Sequence, residues 1–103
     1  MIFIAGDWTD EKNVDSFAGA EQQLEDTEKY HSIYGTSEII NSYTVMQTLN
    51  YLDYKQQVDV LIHLLSYCDI IYMLRGWENN NDIRLLHDYA SNNGYKIIYS
   101  KKF

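Results

Sequence analysis

Short, wholly apolar runs separated by long amphipathic stretches constrain this chain more than any other feature. Ile2-Phe3-Ile4-Ala5 is a continuous apolar run that stops at Gly6. A strand with water on one face alternates apolar and polar residues, so an unbroken run belongs to a strand covered on both faces. Asp69-Ile70-Ile71-Tyr72-Met73-Leu74 is the strongest run of this kind, Tyr95-Lys96-Ile97-Ile98-Tyr99 is the last, and Glu38-Ile39-Ile40-Asn41 is a shorter one with Gly35 as punctuation before it. Between them the apolar residues recur at helical spacing. Val14, Phe17, Ala20 or Glu21, and Leu24 form one such stripe, with Asp10 available near its start as a cap. Tyr43 to Ser66 is the longest helical stretch, but its register slips between Asp53 and Gln57, so it is one kinked helix or two helices. Asn79 to Asn92 reads as the last helix, with Gly94 placed to end it.

Strand and helix therefore alternate. That pattern predicts a three-layer α/β fold, Rossmann-like or flavodoxin-like, in which a mostly parallel sheet of four to five strands is flanked by helices. There is no repeat, no low-complexity tract and no proline, so residues 1–103 read as a single domain. In such sheets ligands bind beyond the carboxyl ends of the strands. Three segments fall there: Gly6-Asp7-Trp8, Asn41-Ser42-Tyr43, and Gly76 to Asp82. Their convergence is the reason to expect a small-molecule site.

Composition removes several classes. The formal charge of −7 argues against a nucleic-acid partner, because phosphate contacts need clustered Lys and Arg. Lys101-Lys102 is too little basic charge for an anionic membrane, and no run approaches the ~20 apolar residues of a membrane span. Met1 to Ala5 is too short for a signal-peptide core. Cys68 is the only cysteine, so no internal disulfide forms and a reducing, cytoplasmic setting is expected. Ten tyrosines suit half-buried rims, either of the core or of a subunit interface. His31, His63 and His87 stand alone, without a second ligand at metal spacing, so neither a metal nor a cofactor is expected. No nucleophile elbow, dinucleotide-binding glycine pattern or phosphate loop occurs.

Gly76-Trp77-Glu78-Asn79-Asn80-Asn81-Asp82-Ile83-Arg84-Leu85-Leu86 carries a resemblance. It is similar to the Gly-Trp-Glu-x-Ser-x-Gly-Ala-x-x-Glu of the nucleoside 2-deoxyribosyltransferase-like family, and in particular to its small DUF4406-type members. Ile2 to Gly6 resembles that family's opening strand. Phe17, Ala20-Glu21 and Leu24 resemble its first helix, and Ile40-Asn41 its second strand end. Tyr54, Asp59, Leu64 and Cys68-Asp69 resemble its long helix-to-strand run. The resemblance implies a deoxyribosyltransferase-type fold and a nucleotide pocket. Its departures fall at the chemistry. Asp7 stands where proline is usual, Asn80 for a Ser, Asp82 for a Gly, and Leu86 for the Glu that attacks the sugar. An alkyl chain is not a nucleophile.

A pocket kept without its nucleophile leads to an expectation of binding without turnover, with no catalytic residue. A nucleotide- or nucleoside-derived molecule would be held by Gly6, Asp7, Trp8, Asn41, Ser42, Gly76, Trp77, Glu78, Asn79, Asn80, Asn81 and Asp82. Trp8 and Trp77 would stack on a base or bury in an interface, and Asp82 would cap the last helix while repelling phosphate from its amides. A vacated pocket suits sequestration, for instance by a viral protein that soaks up a host nucleotide signal in the host cytoplasm. Two alternatives stay open. One is an N-glycosidase or deoxyribosyltransferase using Glu78, Asp7 or Asp59, and the other is a protein-interaction module. The resemblance also implies a homo-oligomer, a dimer or larger, with Tyr51, Tyr54 and His63 of the long helical stretch at its interface.

Overall fold

The computed structural model describes residues 1–26 and 38–103. Gly35 and His31 lie outside them. Strands β1 (Ile2–Ala5), β2 (Ile39–Asn41), β3 (Ile70–Met73) and β4 (Lys96–Tyr99) form one sheet in the order β2-β1-β3-β4. Every pairing is parallel, with Ile2 opposite both Ile39 and Ile70, and Ile70 opposite Lys96. Burial explains the order. All four residues of β1 and of β3 are buried, as unbroken apolar runs require, and these two strands take the centre. The β4 pattern has exposed ends at Lys96 and Tyr99, and it takes an edge.

Among the described residues four α-helices flank the sheet: α1 (Val14–Asp26), α2 (Ser42–Thr48), α3 (Tyr54–Leu65) and α4 (Asn81–Asn92). The α1 helix turns Phe17, Ala20 and Leu24 inward, the stripe its spacing predicts. It covers the face that carries Tyr72, whose hydroxyl donates to Gln23 Oε1 at 2.8 Å. The opposite face carries Tyr99, which meets His87 of α4 at 2.8 Å. Helices on both faces of an all-parallel sheet make the three-layer α/β architecture.

Two boundaries, at Asp10 and at Asn81, differ from the sequence reading. Of the two alternatives that the sequence leaves for the long stretch after β2, two helices is the one found. Leu49 to Asp53 breaks it, and Asp53 starts α3 with a capping box in which its side chain accepts from Gln56 N and Gln56 Oε1 accepts from Asp53 N. Asn41 caps α2 by accepting from Thr44 N. Asp10 caps a short 3₁₀ turn, Glu11–Asn13, that leads into α1. The last helix begins at Asn81, with Asn80 as its N-cap, because Asn80 has the extended backbone (φ −123°, ψ 122°) that a cap needs. Asp82 therefore sits in the first turn and is not the cap. Gly94 follows α4 with φ +75°.

Candidate functional site

Strand order decides where a cleft can open. The chain leaves β1 for β2 on one side, then crosses back over β1 to β3 on the other. Loops after β1 and β3 therefore diverge, one running to α1 and the other to α4, and a crevice opens between them at their carboxyl ends. A cleft of about 220 Å³ lies there. Asp7 follows β1, Asn13 ends the 3₁₀ turn, Ser16 lies in the first turn of α1, and Leu74, Arg75, Gly76 and Trp77 follow β3. Asn80 and Ile83 supply the wall at the start of α4, and Phe103 completes the lining.

The backbone of this cleft depends on two glycines. A Cβ on Gly6 would stand 2.7 Å from Leu74 Cδ1, so only glycine lets the two loops approach. Gly76 has φ +84°, a left-handed turn that leads into Trp77 and would strain a side-chain-bearing residue. Leu74 N donates to Ala5 O at 2.9 Å, which extends the β1–β3 ladder up to the cleft floor.

Charges are placed unevenly. Asp7 Oδ1 accepts from Thr9 N at 3.0 Å and from Thr9 Oγ1 at 2.6 Å, which fixes the carboxylate in its turn. Asn13 Nδ2 donates to Asp7 O at 3.0 Å and ties this turn to α1. Among the described residues Asp7 is the one acidic side chain and Arg75 the one guanidinium lining the cleft. Arg75 is exposed and makes no ion pair among the described residues. The first amides of α4 are occupied, because Asn80 Oδ1 accepts from Asp82 N at 2.9 Å and Ile83 N at 3.1 Å. An anion arriving there would have to displace Asn80 in competition with the Asp82 carboxylate.

Behind the cleft stands an aromatic column. Trp8 is 4% exposed, stacks on Tyr54 with ring centroids 5.6 Å apart, and donates from Nε1 to Gln57 Oε1 at 3.2 Å. Tyr54 in turn donates to Asp82 Oδ2 at 2.5 Å. Burial, and then the Asp82 carboxylate that accepts its proton, push the Tyr54 phenol up to about 12. Trp77 is half-buried and stacks on His87 at 4.2 Å, with Tyr99 beside both rings.

The structure thus brings together Asp7, Gly76, Trp77 and Asn80 on the cleft wall, with Gly6 just beneath. Trp8 lies inside the chain's own packing, with one face against Tyr54. Asn41 and Ser42 serve the fold: Asn41 caps α2, and Ser42, fully buried, donates to Ile4 O at 2.7 Å. Glu78 and Asn79 are exposed on the 3₁₀ turn Trp77–Asn79, and Asn81 accepts from Arg84 on the α4 surface. Asp82 faces Tyr54. Of the tyrosines assigned to an interface, Tyr51 is 77% exposed, and Tyr54 is 43% exposed with one face on Trp8.

Sequence reasoning missed Asn13, Ser16, Arg75, Ile83 and Phe103. Arg75 was recoverable, since it directly follows the strongest strand run at the end where ligands bind. Phe103 was not, because no local pattern tells a chain segment which distant helix it will cross. Among the described residues no group of three His, Cys, Asp or Glu side chains is placed to hold a metal ion. Among them also no helix is long and apolar enough to cross a membrane.

Fold and cleft together define a doubly wound α/β protein with a crevice at the β1/β3 switch point. Residues 1–99 match the family model described as a domain of unknown function, DUF4406, and the chain belongs to that family. No curated protein and no solved structure matches it.

Proposed function

We propose that the switch-point cleft binds a nucleotide- or nucleoside-derived small molecule and releases it intact, so that the protein sequesters its ligand. The nucleotide part of the reading comes from the resemblance to the deoxyribosyltransferase-like family. The absence of turnover is supported by one observation above all. Leu86, at the position where that family carries its attacking Glu, is 1% exposed and packed in the core. Towards the start of α4, the cleft wall is Ile83, one turn before Leu86, and the N-cap Asn80, neither of which is an acid. Without a carboxylate reaching the sugar from α4, no glycosyl-enzyme intermediate forms there. Asp7 is left to accept hydrogen bonds from sugar hydroxyls, Trp77 offers a ring edge to a base, and Arg75 supplies one positive charge.

The test is thermal unfolding against nucleosides, nucleotides and cyclic nucleotides, followed by chromatography of the recovered ligand. A ligand present at 100 times its Kd stabilises by about 2.7 kcal/mol. A stabilising compound recovered unchanged supports the reading, and silence across the set removes it. The resemblance also carries a homo-oligomer, which sedimentation of the purified protein tests.

A second reading has its own support. Among the described residues Asp7 is the one acidic side chain on the cleft wall, whereas Glu78 and Asp59 are exposed elsewhere. If the protein cleaves a glycosidic bond, Asp7 is the residue that does so. Free base released by the native protein and not by Asp7→Asn would replace sequestration with catalysis.

A further inference from the structure

We infer that Phe103 sets the size of ligand the cleft accepts, its ring forming a displaceable wall between the cleft and a second hollow along α1. This rests on the proposed binding role of the cleft and says which ligands fit: those built on one base and one sugar, and not dinucleotides.

Phe103 lines the cleft of about 220 Å³ and also a neighbouring hollow of about 260 Å³ bounded by Gly19, Gln22, Asp26 and Lys102. Phe103 is the residue that the two share. Taken alone, the cleft falls below the roughly 300–1,000 Å³ of pockets that enclose drug-sized ligands, and joined to the hollow it enters that range. The segment that carries the ring is anchored at its base, where Ser100 N donates to Met73 O at 2.9 Å. Phe103 N donates to Ser100 Oγ at 2.8 Å, which curls the segment towards α1.

The seat for the ring is cut into a helix. Gly19 lies inside α1, where glycine weakens a helix relative to any alanine. A Cβ at position 19 would collide with Phe103 Cε1 and stand 2.7 Å from Cζ. The atoms it would strike are the far end of a side chain, not backbone. Adding a methyl group there therefore moves the ring and leaves the helix intact. Phe103 is only half-buried. The ring packs against Gly19 and the edge of the hydrophobic core, and the Lys102 ammonium lies 5.2 Å from its centroid.

Two variants, Phe103→Ala and Gly19→Ala, remove the wall by independent routes, and both tests use the full chain. The first reads Trp77 without any nucleotide. Trp8 is 4% exposed, so quenchable emission reports Trp77 on the cleft wall, with Trp77→Phe as the control. Acrylamide should quench the native protein, and the bulkier N-methylnicotinamide should quench efficiently only in the two variants. The second titrates adenosine and the dinucleoside adenylyl-adenosine by calorimetry. The variants should bind the dinucleoside at least about tenfold tighter than the native protein does, with adenosine affinity changed less. Equal access of the bulky quencher to native and variant proteins would overturn the inference, as would a dinucleoside bound equally by all three. If the bulky quencher discriminates and neither nucleoside binds any form, the partition stands and the nucleoside reading of the cleft is what falls.

Discussion

Asn80 does two things that compete. Its side-chain oxygen satisfies the amides of Asp82 and Ile83, and the residue also forms part of the cleft wall. Replacing Asn80 with Ala removes the cap and should cost about 1 kcal/mol, within the ~0.5–2 kcal/mol of cap losses, measurable by urea denaturation. A stronger test of the site lies at Leu86. Truncation to Ala removes a fully packed side chain and should cost about 2–5 kcal/mol. Leu86→Glu should cost at least as much near neutral pH and lose less in acid. Burial raises the carboxyl pKa above its unfolded value, so the folded state is favoured below the unfolded pKa and penalised as pH rises past it. A Leu86→Glu protein as stable as the native one, and newly able to cleave nucleosides, would mean that position 86 reaches the cleft. The residues of the site also differ in how far the sequence reveals them. The Gly76-Trp77 turn and Asp7 were legible because they punctuate apolar runs, and Asn80 was legible as a polar turn residue. Which of the three asparagines caps the helix was not, because all three side chains could do it and backbone geometry chooses.

At the level of elements, the break between α2 and α3 is set by capping and not by hydrophobic pattern. Val45, Leu49 and Leu52 run into Val58, Leu61 and Leu65 with a slipped register, which periodicity alone reads equally as a kink or a gap. The deciding signal is Asp53-Tyr54-Lys55-Gln56, whose first and fourth residues satisfy each other's backbone amides. Those four residues are plain in the sequence, but apolar spacing does not register them. Asp53→Ala should destabilise by about 1 kcal/mol and loosen the start of α3, seen as faster amide exchange at Gln56 and Gln57. Tyr54 is the first residue of α3, so the same change should weaken its contact with Asp82. The strands needed no such help. Runs buried on both faces can only be central strands, whereas β4, whose ends Lys96 and Tyr99 are exposed, could be placed at an edge only once the register was known.

For the molecule as a whole, stability in alkali separates two kinds of electrostatic cost. The chain carries −7 near neutrality, and ionising tyrosines add to a self-repulsion that dissolved salt screens. Burial acts differently. Cys68, 6% exposed, has its thiol pushed from 9.0 up to about 11, chiefly because the thiolate would lose its water. Burial likewise comes first in raising Tyr95, whose hydroxyl donates to Leu65 O at 2.7 Å, and Tyr54, raised to about 12. In each case the folded state holds its proton after the unfolded chain has released it. The unfolded state then binds fewer protons, so stability is intact below the unfolded pKa and declines as pH climbs to the folded one. For Cys68 the decline runs from about pH 9 to about 11 and amounts to roughly 3 kcal/mol at ~1.4 kcal/mol per pH unit. For Tyr54 it runs from about pH 10 to about 12. Urea denaturation at pH 8, 9.5 and 11, at low and high salt, resolves the two costs. Cys68→Ala should flatten the fall between pH 9 and 11 at both salt levels, and Tyr54→Phe should flatten the later part. High salt should recover the self-repulsion and leave the Cys68 share untouched, because desolvation of a buried thiolate is not a screened interaction. If added salt erased the whole fall in the native protein, net charge and not burial would govern its alkaline limit.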